Sequence, residues 1–494
     1  MLFTLSTLIR HAWLFAFYSF IGVFLTLVVV FVLYMDSRAD LNVWHFADLD
    51  EEYTVDSEVS SFKDYLALED RLFKQLDEEV YAKITPDQKL QINRYNKGSL
   101  SDPERWPQNW NRSFELEVSK PKAAVLLLHG MSDSPYSLRN LGERLHQAGV
   151  YVLGLRIPGH GTAPSGLTTV TWQDMAAAVD LAVQHLAEQA NGQPLHIIGY
   201  SNGGALAVNY ALTAAYDPEK PQITGIALLS PEIGIAEAAA LAVWQARLGT
   251  LLGLDKLAWN AILPEYDPYK YGSFAVNAGD VAYKLTTEVQ RRITVLDKEG
   301  MLGNIPPILA FSSIVDATVS APALIEGLFN RIPAGGHELI IFNINLMADI
   351  QPLLKWSPSK LFGALQANPD KTYTLSVVTN KTNGSAEVMY SSQPPGQDKA
   401  VNLDLGLSWP GAHFYSLTHV ALPFPPDDPL YGGEGGKNSP GIYLGDIALR
   451  GERGVLEIPA GEMLRLRWNP FYPFLEQKVL EFFQLDIPVP AIPE

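Results

Sequence analysis

The sequence predicts an α/β fold, a mostly parallel central sheet flanked by helices. Three apolar runs, at residues 123–128, 150–155 and 195–198, have the length and composition of short buried strands. Each run ends in a glycine-containing turn, and the third is followed directly by a segment that starts a helix. Strand, turn and helix in this succession are what the predicted fold requires.

The composition is that of a folded enzyme. Of the 494 residues, 47% are hydrophobic and 18% are charged, as in globular chains. A formal net charge of −18 argues against nucleic acid as a partner and against docking on anionic headgroups. No P-loop, dinucleotide fingerprint, zinc-protease motif or calcium loop occurs, so we expect no cofactor and no metal.

The most informative motif is Gly-Tyr-Ser-Asn-Gly at residues 199–203. It lies between the strand at 195–198 and the helix start at 204–210, the context in which a G-x-S-x-G motif carries a nucleophile. Such a turn is strained, and its flanking glycines avoid clashes that a Cβ would cause. We therefore predict that Ser201 is a nucleophile; the alternative is a plain glycine-rich strand–helix turn.

Two further motifs precede this one. The strand at 123–128 ends in His-Gly-Met at 129–131, and the strand at 150–155 is followed by Pro-Gly-His-Gly at 158–161. Taken alone, the second is a loop shaped by proline and glycine. Together, and in this order, the three motifs resemble the α/β-hydrolase superfamily. The branch they resemble contains bacterial carboxylesterases, monoacylglycerol lipases and serine aminopeptidase-like hydrolases, and the resemblance covers about residues 120–230, 305–320 and 415–425.

The resemblance implies an oxyanion hole made by two backbone N–H groups. One belongs to the residue after the nucleophile, here Asn202, and the other to the loop after an upstream strand, here Met131. His129 is expected to shape that loop rather than to act in catalysis.

The resemblance also implies the chain order Ser, Asp, His. A strand-like run at 306–315 precedes Asp316, and Asp-Ala-Thr-Val at 316–319 is similar to the family's Asp-x-x-Val. Asp316 is therefore the predicted acid. It can also cap a helix N-terminus, and both roles can hold at once.

Three histidines follow Asp316, and one of them should be the base. His337 precedes a further strand-like run and is too early. His419 ends an apolar stretch and precedes an apolar loop, as in the family, so we predict His419, with His413 as the alternative. Its distance from Asp316 along the chain is longer than in the family, which indicates an insertion. The implied mechanism is acyl transfer to Ser201 with His419 as base and Asp316 as its orienting partner.

The N-terminus predicts a membrane anchor. Residues 12–35 contain no charged residue and would span about 36 Å as a helix, enough to cross a bilayer. A signal peptide has a shorter apolar core, but Ser-Arg-Ala at 37–39 is a possible cleavage site. The free amine and Arg10 before the span favour an extracytoplasmic hydrolase, periplasmic in a Gram-negative cell. The absence of cysteine fits an oxidising compartment.

The predicted organisation is an anchor at 12–35, a linker and N-terminal extension at 36–118, and a hydrolase domain at 119–490. Within the domain, residues 231–304 are predicted as a helical cap, with helices at 235–251 and 281–296; packing in the core of a larger domain is the alternative. Residues 321–410 are a predicted insertion with strands at 372–379 and 387–392. A final helix is expected at 473–483.

The function predicted from these features is a membrane-anchored serine hydrolase that cleaves carboxylic esters, with a small-molecule or lipid acyl ester as substrate. A peptidase or amidase with the same triad is one alternative. A non-catalytic binding protein of the same fold is the other.

Overall fold

The chain folds around one large sheet. The structure is a computed structural model that describes residues 2–234, 254–316, 318–368, 370–434, 436, 439–445, 458 and 460–485. The predicted helix at 235–251 lies almost wholly outside these residues. The strands are β1 (Phe114–Leu116), β2 (Ala123–Leu128), β3 (Val150–Leu155), β4 (Leu195–Tyr200), β5 (Gly225–Leu229), β6 (Trp259–Ala261), β7 (Phe274–Ala275), β8 (Ile308–Ser313), β9 (Glu338–Phe342), β10 (Thr374–Asn380), β11 (Glu387–Gln393) and β12 (Val401–Ser408).

The helices alternate with these strands. They are α1 (Leu2–Ser37), α2 (Val43–Phe46), α3 (Phe62–Glu79), α4 (Arg139–Gln147), α5 (Trp172–Ala190), α6 (Asn202–Tyr216), α7 (Val276–Lys298), α8 (Ala321–Leu324), α9 (Pro358–Ala367), α10 (Ala460–Met463) and α11 (Tyr472–Phe482). The strand predictions near 123–128, 150–155 and 195–198 are confirmed, and the predicted final helix is observed one residue earlier at each end.

The main sheet has the strand order β1-β3-β2-β4-β5-β8-β9-β10-β11-β12. Neighbours from β3 to β10 are parallel, whereas β1, β11 and β12 pair antiparallel at the two edges. The strands from β2 to β5 are fully buried because helices cover both faces, which is why they are continuous apolar runs. The carboxyl ends of the parallel strands therefore meet at one edge, where ligands bind in open α/β sheets.

The predicted insertion extends the sheet. Two of its strands, β10 and β11, lie where the sequence predicts them, and β12 at the far edge was not predicted. Residues 401–408 alternate apolar with polar residues or glycine, the pattern of a half-buried strand, although most of their side chains are exposed at this edge of the sheet.

Helix α7 occupies the second half of the segment predicted as a cap. Its buried face, which includes Val281, Leu285 and Val289, belongs to the same core cluster as α5 and α6. This half of the segment thus packs into the body of the domain. A cap formed by the remainder stays a prediction.

Residues 36–118 are tightly joined to the domain. Arg156, which directly follows β3, is fully buried and pairs with Glu52 at 2.9 Å and with Glu69 of α3 at 3.1 Å. The Tyr65 hydroxyl donates to the Arg156 carbonyl at 2.6 Å. Separating the partners of a buried ion pair is strongly destabilising, because it leaves a buried charge without a partner. These contacts therefore hold the extension against the loop at 156–162.

Helix α1 differs from the other long helices of the described residues because little of its apolar surface packs against protein. Between Thr7 and Tyr34 most of its apolar side chains are exposed, among them Trp13 at 74% and Phe15 at 76%, whereas Met35 is buried. One stretch, Thr7–Ser37, is long and apolar enough to cross a membrane, a property that signal sequences share. Where α1 ends, Arg38 donates to the carbonyls of Lys256 and Trp259, both at 2.6 Å.

Candidate active site

Ser201 lies at the turn between β4 and α6, at the carboxyl edge of the sheet. Its backbone has φ 53° and ψ −118°, a conformation that non-glycine residues rarely adopt. The amide of Ser201 donates to the Leu229 carbonyl at 3.0 Å, and its carbonyl accepts from the Glu232 amide at 3.0 Å. The strained turn is thus held by hydrogen bonds to β5 and to the loop that follows it.

The glycines of the motif are required by close packing. A Cβ on Gly203 would lie 2.1 Å from the Leu128 carbonyl oxygen, and one on Gly199 would lie 2.5 Å from the Gly203 oxygen. Both distances are far shorter than any contact between a real Cβ and another atom. Any side chain at these positions would push α6 away from β2 and β4.

The loop after β2 lies against Ser201. A Cβ added to Gly130 would be 3.1 Å from the Ser201 Cβ, so the backbone beside Met131 approaches the serine directly. His129 is fully enclosed, and its Nε2 accepts the Ile157 amide at 3.1 Å. Burial lowers the pKa of His129 well below its usual value. As a neutral acceptor, this histidine ties the loop to the segment after β3, the shaping role expected of it.

Asp316 follows β8 at the same edge of the sheet. Its Oδ1 accepts the amides of Thr318 and Val319, each at 2.9 Å, and so forms a turn. The N-cap of the following helix α8 is Ser320, so Asp316 does not cap that helix. Its Oδ2 is buried and has no hydrogen-bond partner among the described residues. Burial raises the pKa of Asp316, and the two amides oppose this shift.

His419 faces Asp316. Its Nδ1 lies 3.7 Å from Asp316 Oδ1, and the two side chains are 11% and 1% exposed. Burial, together with the nearby charges of Lys270 and Arg465, lowers the pKa of His419 to about 3. The imidazole is therefore neutral at physiological pH, as a general base must be.

A second group competes for the same ring nitrogen. Arg465 Nη2 lies 3.4 Å from His419 Nδ1. Because a guanidinium only donates, this contact requires an unprotonated Nδ1. A triad needs the opposite tautomer, in which Nδ1–H donates to the aspartate. The productive arrangement thus requires Arg465 to withdraw and the ring to move closer to Asp316.

The other two histidines lie elsewhere. His413 is exposed and packs against Phe414, with ring centroids 4.1 Å apart. His337 accepts the Ile308 amide at 3.1 Å through Nδ1, a contact that joins β8 to the loop before β9. Of the three, only His419 is near Asp316.

Glu232 is a buried carboxyl that the sequence analysis did not single out. It follows β5, next to the serine carbonyl to which its amide donates. Its Oε2 is buried without a hydrogen-bond partner among the described residues, and burial raises its pKa to about 7. No motif marks this position, so only the fold brings it close to Ser201.

A cavity of about 250 Å³ adjoins the site. Its lining includes the chain neighbours of Met131, Ser201 and His419, which are Ser132, Tyr200 and Val420. Its charged lining consists of Asp133, Asp267, Lys270, Glu462, Arg465 and Arg467. Sequence reasoning missed all six, because they come from three distant segments and none belongs to a motif.

The comparison with protein families agrees with this architecture. Residues 119–298 match the family described as serine aminopeptidase, S33. The chain has the α/β-hydrolase fold. Both the resemblance and the fold class predicted from the three motifs are therefore confirmed, and the chain is similar to lipases and esterases of this fold.

Curated relatives of the chain are bacterial. It is 32% identical over 116 residues to the thermostable monoacylglycerol lipase of Bacillus sp. strain H-257, covering 24% of this chain and 43% of the relative. It is 25% identical over 149 residues to phospholipase YtpA of Bacillus subtilis strain 168, covering 30% and 52%. The chain thus spans about half the length of the curated relatives it matches.

Solved structures with the same fold include the Paleococcus ferrophilus monoacylglycerol lipase. The identity is 21%, the TM-score is 0.35, and the match covers 47% of this chain and 88% of that one.

Proposed function

We propose that the protein is a membrane-anchored serine hydrolase that cleaves carboxylic esters through Ser201, His419 and Asp316. The observation that carries this proposal is the approach of Asp316 and His419, whose side chains lie 3.7 Å apart although they are far apart in the sequence. The strained turn that holds Ser201 after β4 supports it.

In the proposed mechanism, His419 takes the proton of Ser201 as Oγ attacks the acyl carbon. Asp316 then holds the imidazole and stabilises its cation. The N–H groups of Met131 and Asn202 stabilise the oxyanion. Loss of the alcohol leaves an acyl-enzyme, which water hydrolyses with His419 again acting as base.

An ester is the preferred substrate class. The curated relatives with the firmest matches are a monoacylglycerol lipase and a phospholipase, which supports acyl esters over amides. We expect the full chain, purified in detergent, to hydrolyse p-nitrophenyl esters with a clear optimum in acyl length. An aminoacyl p-nitroanilide serves as the amide substrate with which the esters are compared. Faster cleavage of the amide would favour a peptidase, and inertness toward both would favour the binding-protein alternative.

The anchor is the second part of the proposal. Exposed apolar residues along α1 suit a lipid environment, and Arg38 packs on the domain immediately after the helix. The possible cleavage site between residues 39 and 40 lies where the chain contacts the domain. Lys256 pairs there with Asp40 at 2.8 Å. We infer that the helix is retained.

Fractionation of a Gram-negative host that expresses the full chain tests this inference. The protein should pellet with membranes and resist carbonate extraction, because removing a spanning helix from lipid is strongly unfavourable. Protease added to spheroplasts should digest the domain, while a cytoplasmic marker protein stays intact. A soluble form that begins at Asp40 would show cleavage, and a protected domain would show the reverse orientation.

A further inference from the structure

The cavity beside His419 combines an apolar wall with a cluster of charged side chains. Leu263, Phe274 and Phe424 belong to the apolar wall. Six charged side chains line the rest, and a hydrocarbon placed against them would leave their polar atoms unpaired. Its volume of about 250 Å³ suits a small polar group. If Ser201 receives the acyl group, this cavity is therefore the place for the alcohol portion of the substrate.

The negative charges of the cavity are already engaged. Asp267 accepts the Tyr431 hydroxyl at 2.7 Å and the Tyr269 amide at 2.9 Å. Asp133 pairs with Lys270 at 3.0 Å. Burial also raises the pKa of both carboxyls. The charge of Asp267 helps to raise the pKa of Arg467, but neither aspartate forms an ion pair with either arginine among the described residues.

The arginines, in contrast, are poorly satisfied. Arg467 is 7% exposed, and its Nε is buried with no hydrogen-bond partner among the described residues. Its Nη2 makes only long contacts, 3.3 Å to the Tyr266 hydroxyl and 3.3 Å to the Glu462 carbonyl. A guanidinium has five N–H donors, and burying donors that make no hydrogen bond costs folding free energy. Among the described residues no acceptor meets the Nε of this side chain, so it is able to bind an acceptor carried by a ligand.

Glu462 marks where that acceptor belongs. Its Oε2 lies 4.0 Å from Arg465 Nη1 and 3.9 Å from Arg467 Nη2, so one anionic oxygen already sits between the two guanidiniums. Both distances exceed a hydrogen bond. An anion with several oxygens could approach both arginines closely, as phosphate does in bidentate pairs.

We propose that this cavity binds a phosphate carried by the alcohol portion of the substrate, so that the preferred substrate is a lysophospholipid-type acyl ester rather than a neutral one. This assignment rests on the proposed function, because it places the acyl group on Ser201. The phosphate lies between Arg465 and Arg467 and displaces Glu462.

The same contact couples recognition to catalysis. When the phosphate engages Arg465, the guanidinium leaves His419 Nδ1. That nitrogen can then carry the proton that it donates to Asp316, which is the tautomer a triad needs. Substrates without an anionic group leave Arg465 against the histidine and should react more slowly for that reason.

Binding to the full-length Ser201→Ala variant tests the cavity independently of turnover. By calorimetry, sn-glycerol 3-phosphate should bind at least about 10-fold more tightly than glycerol, because charged hydrogen bonds are made only by the phosphate. Arg467→Gln should weaken its binding about 10- to 100-fold. Arg291→Gln, which removes an exposed guanidinium from α7, is the matched control and should change nothing.

The Glu462→Gln variant provides a test in which misfolding cannot explain the expected change in binding. Removing the competing carboxylate should tighten glycerol 3-phosphate binding, an effect that a damaged protein cannot produce. Equal affinities for glycerol and its phosphate would overturn the proposal. Inorganic phosphate that binds as tightly as glycerol 3-phosphate would also overturn it, by showing a site for the free anion.

Hydrolysis separates this proposal from the one on which it rests. With matched oleoyl chains, kcat/KM for lysophosphatidic acid should exceed that for monooleoylglycerol, and Arg467→Gln should lower this ratio about 10-fold or more. Equal kcat/KM for the two esters would overturn the substrate assignment while leaving the ester hydrolase intact. Glycerol 3-phosphate binding without hydrolysis of either ester would instead support the phosphate site and refute the proposed function.

Discussion

Ser201→Ala should abolish ester hydrolysis, with kcat falling by about 10⁶-fold, because a triad without its nucleophile retains only binding and oxyanion stabilisation. The substitution should leave the fold intact, since alanine keeps the backbone hydrogen bonds of the turn to Leu229 and Glu232 and removes only the hydroxyl oxygen. A fluorophosphonate probe should label the wild type and not the variant.

The matched control is Ser137→Ala, a buried serine that donates to the Ser134 carbonyl at 3.2 Å away from the proposed nucleophile. It should keep both labelling and activity. Labelling that survives in Ser201→Ala would refute the assignment of the nucleophile, whatever the activity of the variant.

His419→Ala should lower kcat by several orders of magnitude, because no other histidine among the described residues faces Asp316. His413→Ala should cost little, since that ring is exposed. Thermal unfolding of both variants would show whether either change acts through stability. An inactive His413→Ala beside an active His419→Ala would reverse our assignment.

The pH dependence supplies a second test of the base. A base acts when it is neutral, so activity is lost as the pH falls through its pKa. Burial and the cations near His419 lower its pKa to about 3, below the usual value near 6.5. The acid limb of kcat/KM should therefore lie clearly below pH 6.5, and Arg465→Gln should move it upward because one repelling charge is gone.

Much of the site could be predicted because its chemistry imposes local sequence rules. Ser201 lies in a strained turn, with φ 53°. At Gly199 and Gly203 the neighbouring backbone is too close for any side chain, so both positions must be glycine and the motif can be recognised in the sequence. Asp316 was predicted because it directly follows a buried strand. In each case the constraint acts over a few consecutive residues.

The base was harder to predict for a physical reason. Between Asp316 and His419 the chain adds β9 to β12 to the sheet, so the distance along the sequence says little about the distance in space. The strand β12 was also not predicted, although Val401, Leu403, Leu405 and Leu407 alternate there with polar residues or glycine.

The sequence by itself determined the α/β class, the three motif loops and the apolar helix at the N-terminus, because each follows from short-range periodicity or from backbone geometry. The resemblance of those motifs to a known superfamily implied the α/β-hydrolase fold. Only the tertiary structure decided that His419 rather than His413 faces Asp316 and that Arg465 contacts the Nδ1 of His419. It also decided that Arg467 is buried with an Nε that has no hydrogen-bond partner among the described residues. These contacts join segments distant in the chain, and such contacts depend on how the sheet assembles rather than on any local pattern.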